Sequence, residues 1–299
     1  MTRVLLTGAG GFVGRHVGKA LVARGFEVHG VSRHDRTADR LTWHACDLLD
    51  ATSLERLVAA LRPTHLLHLA WYTEPGEYWQ SQQNLPWLNA SISLLESFAR
   101  HGGERAVLVG TCAEYDWAYG YCVEDTTPCK ARSLYAASKL ALHDVARAFA
   151  PTADLGVAWA RIFFPFGPHE RPERLVPSVI RALLAGERAA CSDGEQIRDF
   201  VYVRDVASAL VALLDHEFCG DVNVASGRPV VLKDLVSLIA DKLNARDRVD
   251  FGRRPRQGSE PPLLLADVSR LKNIIGWTPS YDLETAVDET IAWWREWTG

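Results

Sequence analysis

The chain predicts an α/β fold, a doubly wound parallel sheet with a smaller C-terminal α/β lobe. Three observations carry this. Strand-like and helix-like stretches alternate through roughly the first 160 residues. Two strand-like runs, 64–70 and 105–110, are apolar almost throughout, as in strands covered on both faces. A glycine-rich turn from Gly8 to Gly14 joins the first strand directly to the first helix.

Each element has its own signal. Arg3–Thr7 reads as a strand, and 12–24 carries apolar residues at helical spacing. Glu27–Ser32 and 41–45 are the second and third strands. A helix over 53–61 opens at Ser53, with Glu55 in its first turn. Helices over 89–101 and 134–150 flank the strand at 105–110, and 156–161 adds another strand. Beyond Arg161 the rhythm breaks at Pro165, Gly167, Pro168 and Pro172. A helix returns over 175–185, and a strand over 200–203 runs into a helix over 206–214. An amphipathic helix covers 232–243, the basic stretch 247–262 reads as loop, and Leu283–Trp297 closes the chain as a helix.

Bulk properties narrow the partners. The 299 residues are 47% hydrophobic and 23% charged, an ordinary globular composition. A formal net charge of −4 gives no case for nucleic acid or an anionic membrane. Strand-like sequence begins at Arg3 with no leader pattern before it, and no apolar run reaches membrane-spanning length, so a cytoplasmic protein is expected. Six cysteines (Cys46, Cys112, Cys122, Cys129, Cys191, Cys219) lack metal-ligand spacing and read as reduced thiols, with no metal site.

The turn Thr7-Gly8-Ala9-Gly10-Gly11-Phe12-Val13-Gly14 has a chemical reading. A strand that ends in glycines and enters a helix aims backbone N–H groups and the helix dipole at an anion. Gly8 permits the turn, Gly11 admits a pyrophosphate, and Gly14 lets the helix pack closely. This is the Rossmann way of holding a dinucleotide, with Phe12 and Val13 in the same turn. The second strand ends Val31-Ser32-Arg33-His34, with Arg36 close by and no carboxylate at its tip. Ser32, Arg33 and Arg36 suit a ribose 2′-phosphate, which favours NADP (NADPH). In the alternative, these arginines are solvated loop charges, Asp35 takes the acidic role and the cofactor is NAD. Asp47-Leu48, after the third strand, stands where a carboxylate meets the adenine amino group.

A second motif stands 120 residues on, Tyr135-Ala136-Ala137-Ser138-Lys139. Tyr135 and Lys139 are four apart and share a helix face. A phenol titrates near 10, and a lysine ammonium with a positive nicotinamide ring beside it draws that value toward the working range. Thr111 ends the apolar strand before it, at the strand C-terminus where open α/β sheets bind ligands. Its hydroxyl is placed to bond the same substrate oxygen as Tyr135.

These residues together resemble the extended short-chain dehydrogenase/reductase family of nucleotide-sugar epimerases, dehydratases and ketoreductases. Arg161-Ile162-Phe163-Phe164-Pro165-Phe166-Gly167-Pro168 is similar to the family's R-x-F-N-x-Y-G-P segment. Arg198-Asp199-Phe200-Val201-Tyr202-Val203-Arg204-Asp205-Val206-Ala207 matches its R-D-F-x-x-V-x-D-V-A signature. Asp267 and Gly276-Trp277-Thr278-Pro279 look like its D-x-S-K…L-G-W-x-P ending. The resemblance implies a cofactor domain over 1–165, with 195–225 returning to it, and a nucleotide-sugar lobe over 166–194 and 226–299. It implies Thr111, Tyr135 and Lys139 as the catalytic set, with Leu69, Ala70 and Phe164 as further cofactor contacts. Thr111 and Cys112 then face the sugar, Arg198 with Arg254 or Arg256 takes the diphosphate, and the helices at 89–101 and 134–150 form a homodimer.

Departures from the family pattern choose among its members. The 4,6-dehydratases follow their threonine with Asp-Glu or Ser-Glu, where this chain has Cys112 and Ala113. The combined 3,5-epimerase/reductases carry a cysteine two residues before the tyrosine that follows the threonine, where this chain has Ala113. Phe164 replaces the family's asparagine. Two readings survive: an NADPH-dependent reductase of a nucleoside diphosphate 4-keto-deoxysugar, which the arginines favour, and a 4-epimerase with tightly bound cofactor. A regulatory protein that binds NADP without turnover has no need of Thr111, Tyr135 and Lys139. Trp71, Tyr72, Trp79, Trp87 and Trp117 cluster near the expected strand ends, as sugar-site walls or as core and dimer packing.

Overall fold

The structure, a computed structural model, describes residues 2–33, 40–255 and 260–297. The chain runs β1 (Arg3–Thr7), α1 (Phe12–Ala23), β2 (Glu27–Ser32), β3 (Thr42–Ala45), α2 (Ala51–Leu61), β4 (His65–His68), α3 (Asn84–Arg100) and β5 (Arg105–Thr111). It continues through β6 (Tyr121–Cys122), α4 (Leu134–Phe149), β7 (Gly156–Ile162), β8 (Phe164–Phe166), α5 (Leu175–Leu184) and β9 (Ala189–Ala190). The remainder holds β10 (Ile197–Arg198), β11 (Phe200–Tyr202), α6 (Val203–Leu214), β12 (Gly220–Val224), β13 (Val230–Val231) and α7 (Leu232–Lys242). Last come β14 (Val249–Asp250), β15 (Leu263–Ala266), α8 (Ser269–Asn273) and α9 (Leu283–Trp297).

Seven strands form the main sheet in the order β12-β7-β5-β4-β1-β2-β3, every neighbouring pair parallel. Helices α1 and α6 bury Val17, Leu21, Val206 and Leu210 on one face, over Val4, Leu6 and Val107. Helices α2, α3 and α4 bury Leu54, Val58, Leu94, Phe98 and Leu142 on the other, over Leu5, Leu66 and Leu108. The sheet is therefore doubly wound, and strand order reverses between β1 and β4, which opens a crevice at their C-terminal ends. A separate core of Val179, Ile180, Leu183, Leu235, Ile239, Val287 and Trp294 holds α5, α7 and α9 together as the smaller lobe. Among the described residues no helix is long and apolar enough to cross a membrane.

Several boundaries differ from the sequence expectation, among them β4, which ends at His68 rather than 70, and α6, which starts at Val203 rather than 206. Helix α2 starts at Ala51 because Asp50, not Ser53, is its cap, accepting from Thr52 and Ser53 N–H. Helix α3 starts at Asn84 rather than 89, since Pro86 lies in its first turn, where no N–H is required. Within the expected loop 247–262, β14 pairs with β9. The segment expected to return over 195–225 divides: α6 and β12 join the main sheet, while β10 pairs with β13 and β15 in a smaller one.

Buried charge ties three of the sheet's strands together. Glu114, fully buried in the turn after β5, accepts at Oε2 from Arg161 Nε (2.6 Å) and Trp159 Nε1 (2.9 Å), both on β7. Arg161 also donates to Asp221 on β12 at 2.8 Å. Asp221 and Asp144 receive the two ring nitrogens of His143 at 2.8 and 2.9 Å. Burial opposes a charge on that imidazole, but the Asp221 hydrogen bond and charge outweigh it and raise its pKa above the usual histidine value. Arg161→Met strands two carboxylates in the core and is expected to cost about 3–5 kcal/mol of stability. Urea unfolding measures this, and a loss below about 1 kcal/mol would show that the sheet does not lean on the pair.

Candidate active site

The glycine turn lies at the crevice between β1 and β4. Gly8 has φ +68, and a Cβ there would stand 2.9 Å from Ala70 N. A Cβ on Gly14 would come within 2.0 Å of Gly8 O, so only glycine lets α1 start this close to β1. Gly11, the N-cap, supplies no side-chain cap, which leaves the N–H groups of the first turn to a ligand. Beneath the turn, Thr7 Oγ1 accepts from Leu69 and Ala70 N–H (3.2 Å each) and bonds His68 Nδ1 at 2.7 Å. His68 Nε2 meets Ser91 Oγ at 2.8 Å, and Ser91 donates to Trp87 O. Burial pushes the His68 imidazole down to about 3, so it is neutral and passes one consistent line of donors from β1 to α3. Nothing in the sequence pattern marked His68 or Ser91.

The residues expected along the cofactor fall along this edge. Phe12 and Val13 open α1, and half-buried Leu69 and buried Ala70 directly follow β4. Ser32 ends β2, with Arg33 exposed beyond it. Asp47 is exposed and accepts from Leu49 N–H, and Leu48 is buried beside it. Arg36 lies outside the described residues, as does Asp35, the competing acidic candidate. The cradle closed to any Cβ, the open helix N-terminus and the strand-end positions fit a nicotinamide dinucleotide.

Thr111, Tyr135 and Lys139 come together at the C-terminal end of β5. Ser133 caps α4 by accepting from Ala136 N–H, which sets Tyr135 and Lys139 on the buried side of its first two turns. The Thr111 hydroxyl lies close enough to the Tyr135 phenol to favour its ionised form. Thr111 also accepts from Ala113 N–H while Glu114 Oε1 accepts from Thr111 N–H, a reciprocal cap that fixes the threonine. Burial, then the neighbouring Tyr78, pushes the Tyr135 phenol above its usual pKa, with Thr111 acting the other way. Lys139 Nζ donates to Val109 O at 2.9 Å, and burial pushes its pKa down to about 7 against the attraction of Glu114. Burial is the largest influence on the phenol within the protein itself.

The substrate side is apolar and aromatic. Cys112 is buried, and burial pushes its thiol pKa up. Ala113 packs with Tyr135 and Tyr78, bordered by Trp71, Tyr72, Trp79 and Trp117. Trp87 instead packs into the core under α3. Arg198 is buried on β10, 5.6 Å from the Phe164 ring and 3.6 Å from Glu260, and its charge reaches Cys112. Arg254 is exposed and its backbone N–H donates to Cys191 O, and Arg256 lies outside the described residues. The sequence reading missed Tyr78, which meets Tyr135 edge-on at 4.9 Å and lies 5.7 Å under the Arg174 guanidinium. It also missed Glu170, buried near Arg174 and pushed up to about 8 by burial.

The comparisons with known proteins agree with this geometry. A family model described as the NAD dependent epimerase/dehydratase family matches residues 4–225. The chain is 27% identical to GDP-6-deoxy-D-mannose reductase of Pseudomonas aeruginosa, over 98% of this chain and 97% of that one. It is 26% identical to the UDP-N-acetylglucosamine 4-epimerase of Methanobrevibacter ruminantium solved with UDP-N-acetylmuramic acid, covering 99% of both with a TM-score of 0.88. It is 29% identical to MoeE5 solved with UDP-glucose and NAD, covering 99% and 100%, with a TM-score of 0.87. The chain belongs to the NAD-dependent epimerase/dehydratase family, enzymes of the extended short-chain dehydrogenase/reductase type.

Proposed function

We propose that this enzyme reduces the 4-keto group of a nucleoside diphosphate 4-keto-deoxysugar with NADPH. The observation that carries the reading is the turn after Thr111. Its first two side chains are a buried thiol and a methyl group, and its one carboxylate, Glu114, is committed to Arg161, Trp159 and Thr111 N–H. No group there can take a proton from sugar carbon, so the chemistry left is hydride and proton exchange at one carbon and its oxygen. A bound reduced nicotinamide supplies the hydride. Tyr135 gives its phenolic proton to the carbonyl oxygen, and the Thr111 hydroxyl bonds that oxygen as its negative charge develops. Lys139 holds positive charge beside the phenolate that results.

Burial keeps the Tyr135 phenol protonated, the form that gives a proton to a carbonyl oxygen. Arg33, exposed at the end of β2, supports NADPH. The epimerase reading stays in play because a 4-epimerase superposes on the chain end to end. We read Leu85 and Val145, exposed on α3 and α4, as part of a homodimer face of a cytoplasmic enzyme.

Purified enzyme with NADPH and a panel of nucleotide 4-keto-6-deoxysugars is expected to lose nicotinamide absorbance in step with product. Interconversion of a non-keto nucleotide sugar, with no net oxidation on any keto sugar, would sink the reductase reading. Tyr135→Phe is expected to lower kcat by about 10²–10⁴-fold while cofactor affinity holds; retained turnover would refute the acid. Arg33→Ala should weaken NADPH by about 10–100-fold and leave NADH nearly unchanged. Equal losses in fluorescence titrations would mean that the arginine does not read the 2′-phosphate.

A further inference from the structure

Lys139 is only 3% exposed, and among the described residues no carboxylate lies within ion-pair distance of it. The charged or titratable groups that face it are Glu114 from the turn after β5, His68 from β4 and Tyr135 on its own helix. Glu114 is committed elsewhere and His68 is neutral. What meets the ammonium is an aromatic face: Nζ stands 3.8 Å from the centroid of the Trp71 ring. That is within the range of a desolvated cation–π contact.

The indole is itself pinned. Trp71 Nε1 donates to Asn84 Oδ1 at 2.8 Å, and Asn84, fully buried, donates from Nδ2 to Tyr78 O (2.7 Å) and Ser81 O (2.8 Å). The same loop reaches α4 directly, as Trp79 O accepts from Tyr135 N–H and Gln80 Oε1 from Leu134 N–H. Tyr78 and Trp79 meet the Tyr135 ring edge-on at 4.9 and 5.8 Å. One loop, 71–84, therefore touches both members of the Tyr135–Lys139 pair.

We propose that Trp71 is a positioning residue for Lys139, its indole face carrying the buried ammonium where a carboxylate is absent, with Asn84 fixing the indole. The chemistry favours this arrangement over an ion pair. An ammonium has three N–H donors, and Val109 O takes one. A carboxylate partner would claim another and set a negative charge beside Tyr135, raising its pKa further. A π face attracts the charge while leaving the remaining donors for ribose or phenolate oxygens. The proposal rests on Tyr135 and Lys139 as the acid and its partner, and is independent of which sugar is reduced.

The test titrates Lys139 itself, with ¹³Cε-lysine NMR on the full-length protein and no substrate. In Trp71→Leu the Lys139 midpoint is expected to fall by about one pH unit, and in Trp71→Phe by about half as much, since benzene offers a weaker π face. The alkaline limb of the kcat/KM profile should move with it. An unchanged Lys139 midpoint in both variants overturns the proposal, and if the leucine variant fails to fold, the phenylalanine variant decides. A midpoint that moves while the pH–rate limb stays fixed refutes Lys139 as the partner of the acid instead.

Discussion

The site depends on one buried contact, the Glu114–Arg161 ion pair. A threonine at a strand end can orient a reacting group only if the backbone that carries it is immobile. Thr111 N–H is held by the same carboxylate that receives Arg161 Nε and Trp159 Nε1. Packing leaves that carboxylate no other place: a Cβ on Gly110 would lie 2.2 Å from Trp159 Nε1 and 2.5 Å from Glu114 Oε1. Through Arg161 and Asp221 the contact spans β5, β7 and β12, and so joins the reacting end of the sheet to its edge. A pair so fully buried brings little net stability compared with apolar packing. Its value here is to fix register and the direction of Thr111.

Electrostatics around the catalytic pair follow from dryness more than from charge pairing. His68, Lys139 and Tyr135 are each shifted toward their neutral forms by burial. A neutral His68 is what the Thr7–His68–Ser91 line needs, because Nδ1 must accept while Nε2 donates. A protonated Tyr135 is what a proton donor needs. The glycine cradle and the Tyr135 phenol therefore share one condition, burial of the floor under the crevice.

Much of this was legible in the sequence because it rests on local constraints. The strand-to-helix glycines, the apolar runs and the four-residue spacing of Tyr135 and Lys139 each follow from backbone geometry within a few residues. What was not legible depends on partners far apart in the chain. Asn84 joins Trp71, Tyr78 and Ser81 through bonds that no periodicity marks. Glu114 meets its arginine 47 residues on, and Tyr78 meets Tyr135 only after the β4–α3 loop folds over α4. Cap residues misled the boundaries for a related reason, since Ser53 and Asp50 carry the same chemistry and only the fold selects one.

The turn after β5 also shows how one residue of register changes what an enzyme can do. Cys112–Glu114 forms a single 3₁₀ turn, in which successive side chains point about 120° apart. Ala113 faces Tyr135 and the aromatic wall, so a carboxylate at that position would look into the site. One position later, Glu114 faces the core and is neutralised by Arg161. The carboxylate is present, but rotated out of reach of any substrate and spent on holding the threonine. A glutamate at 113 would place a second acid against an apolar, aromatic wall, where burial raises a carboxyl pKa. The turn thus holds its threonine rigid by the same contact that keeps the Glu114 carboxylate in the core.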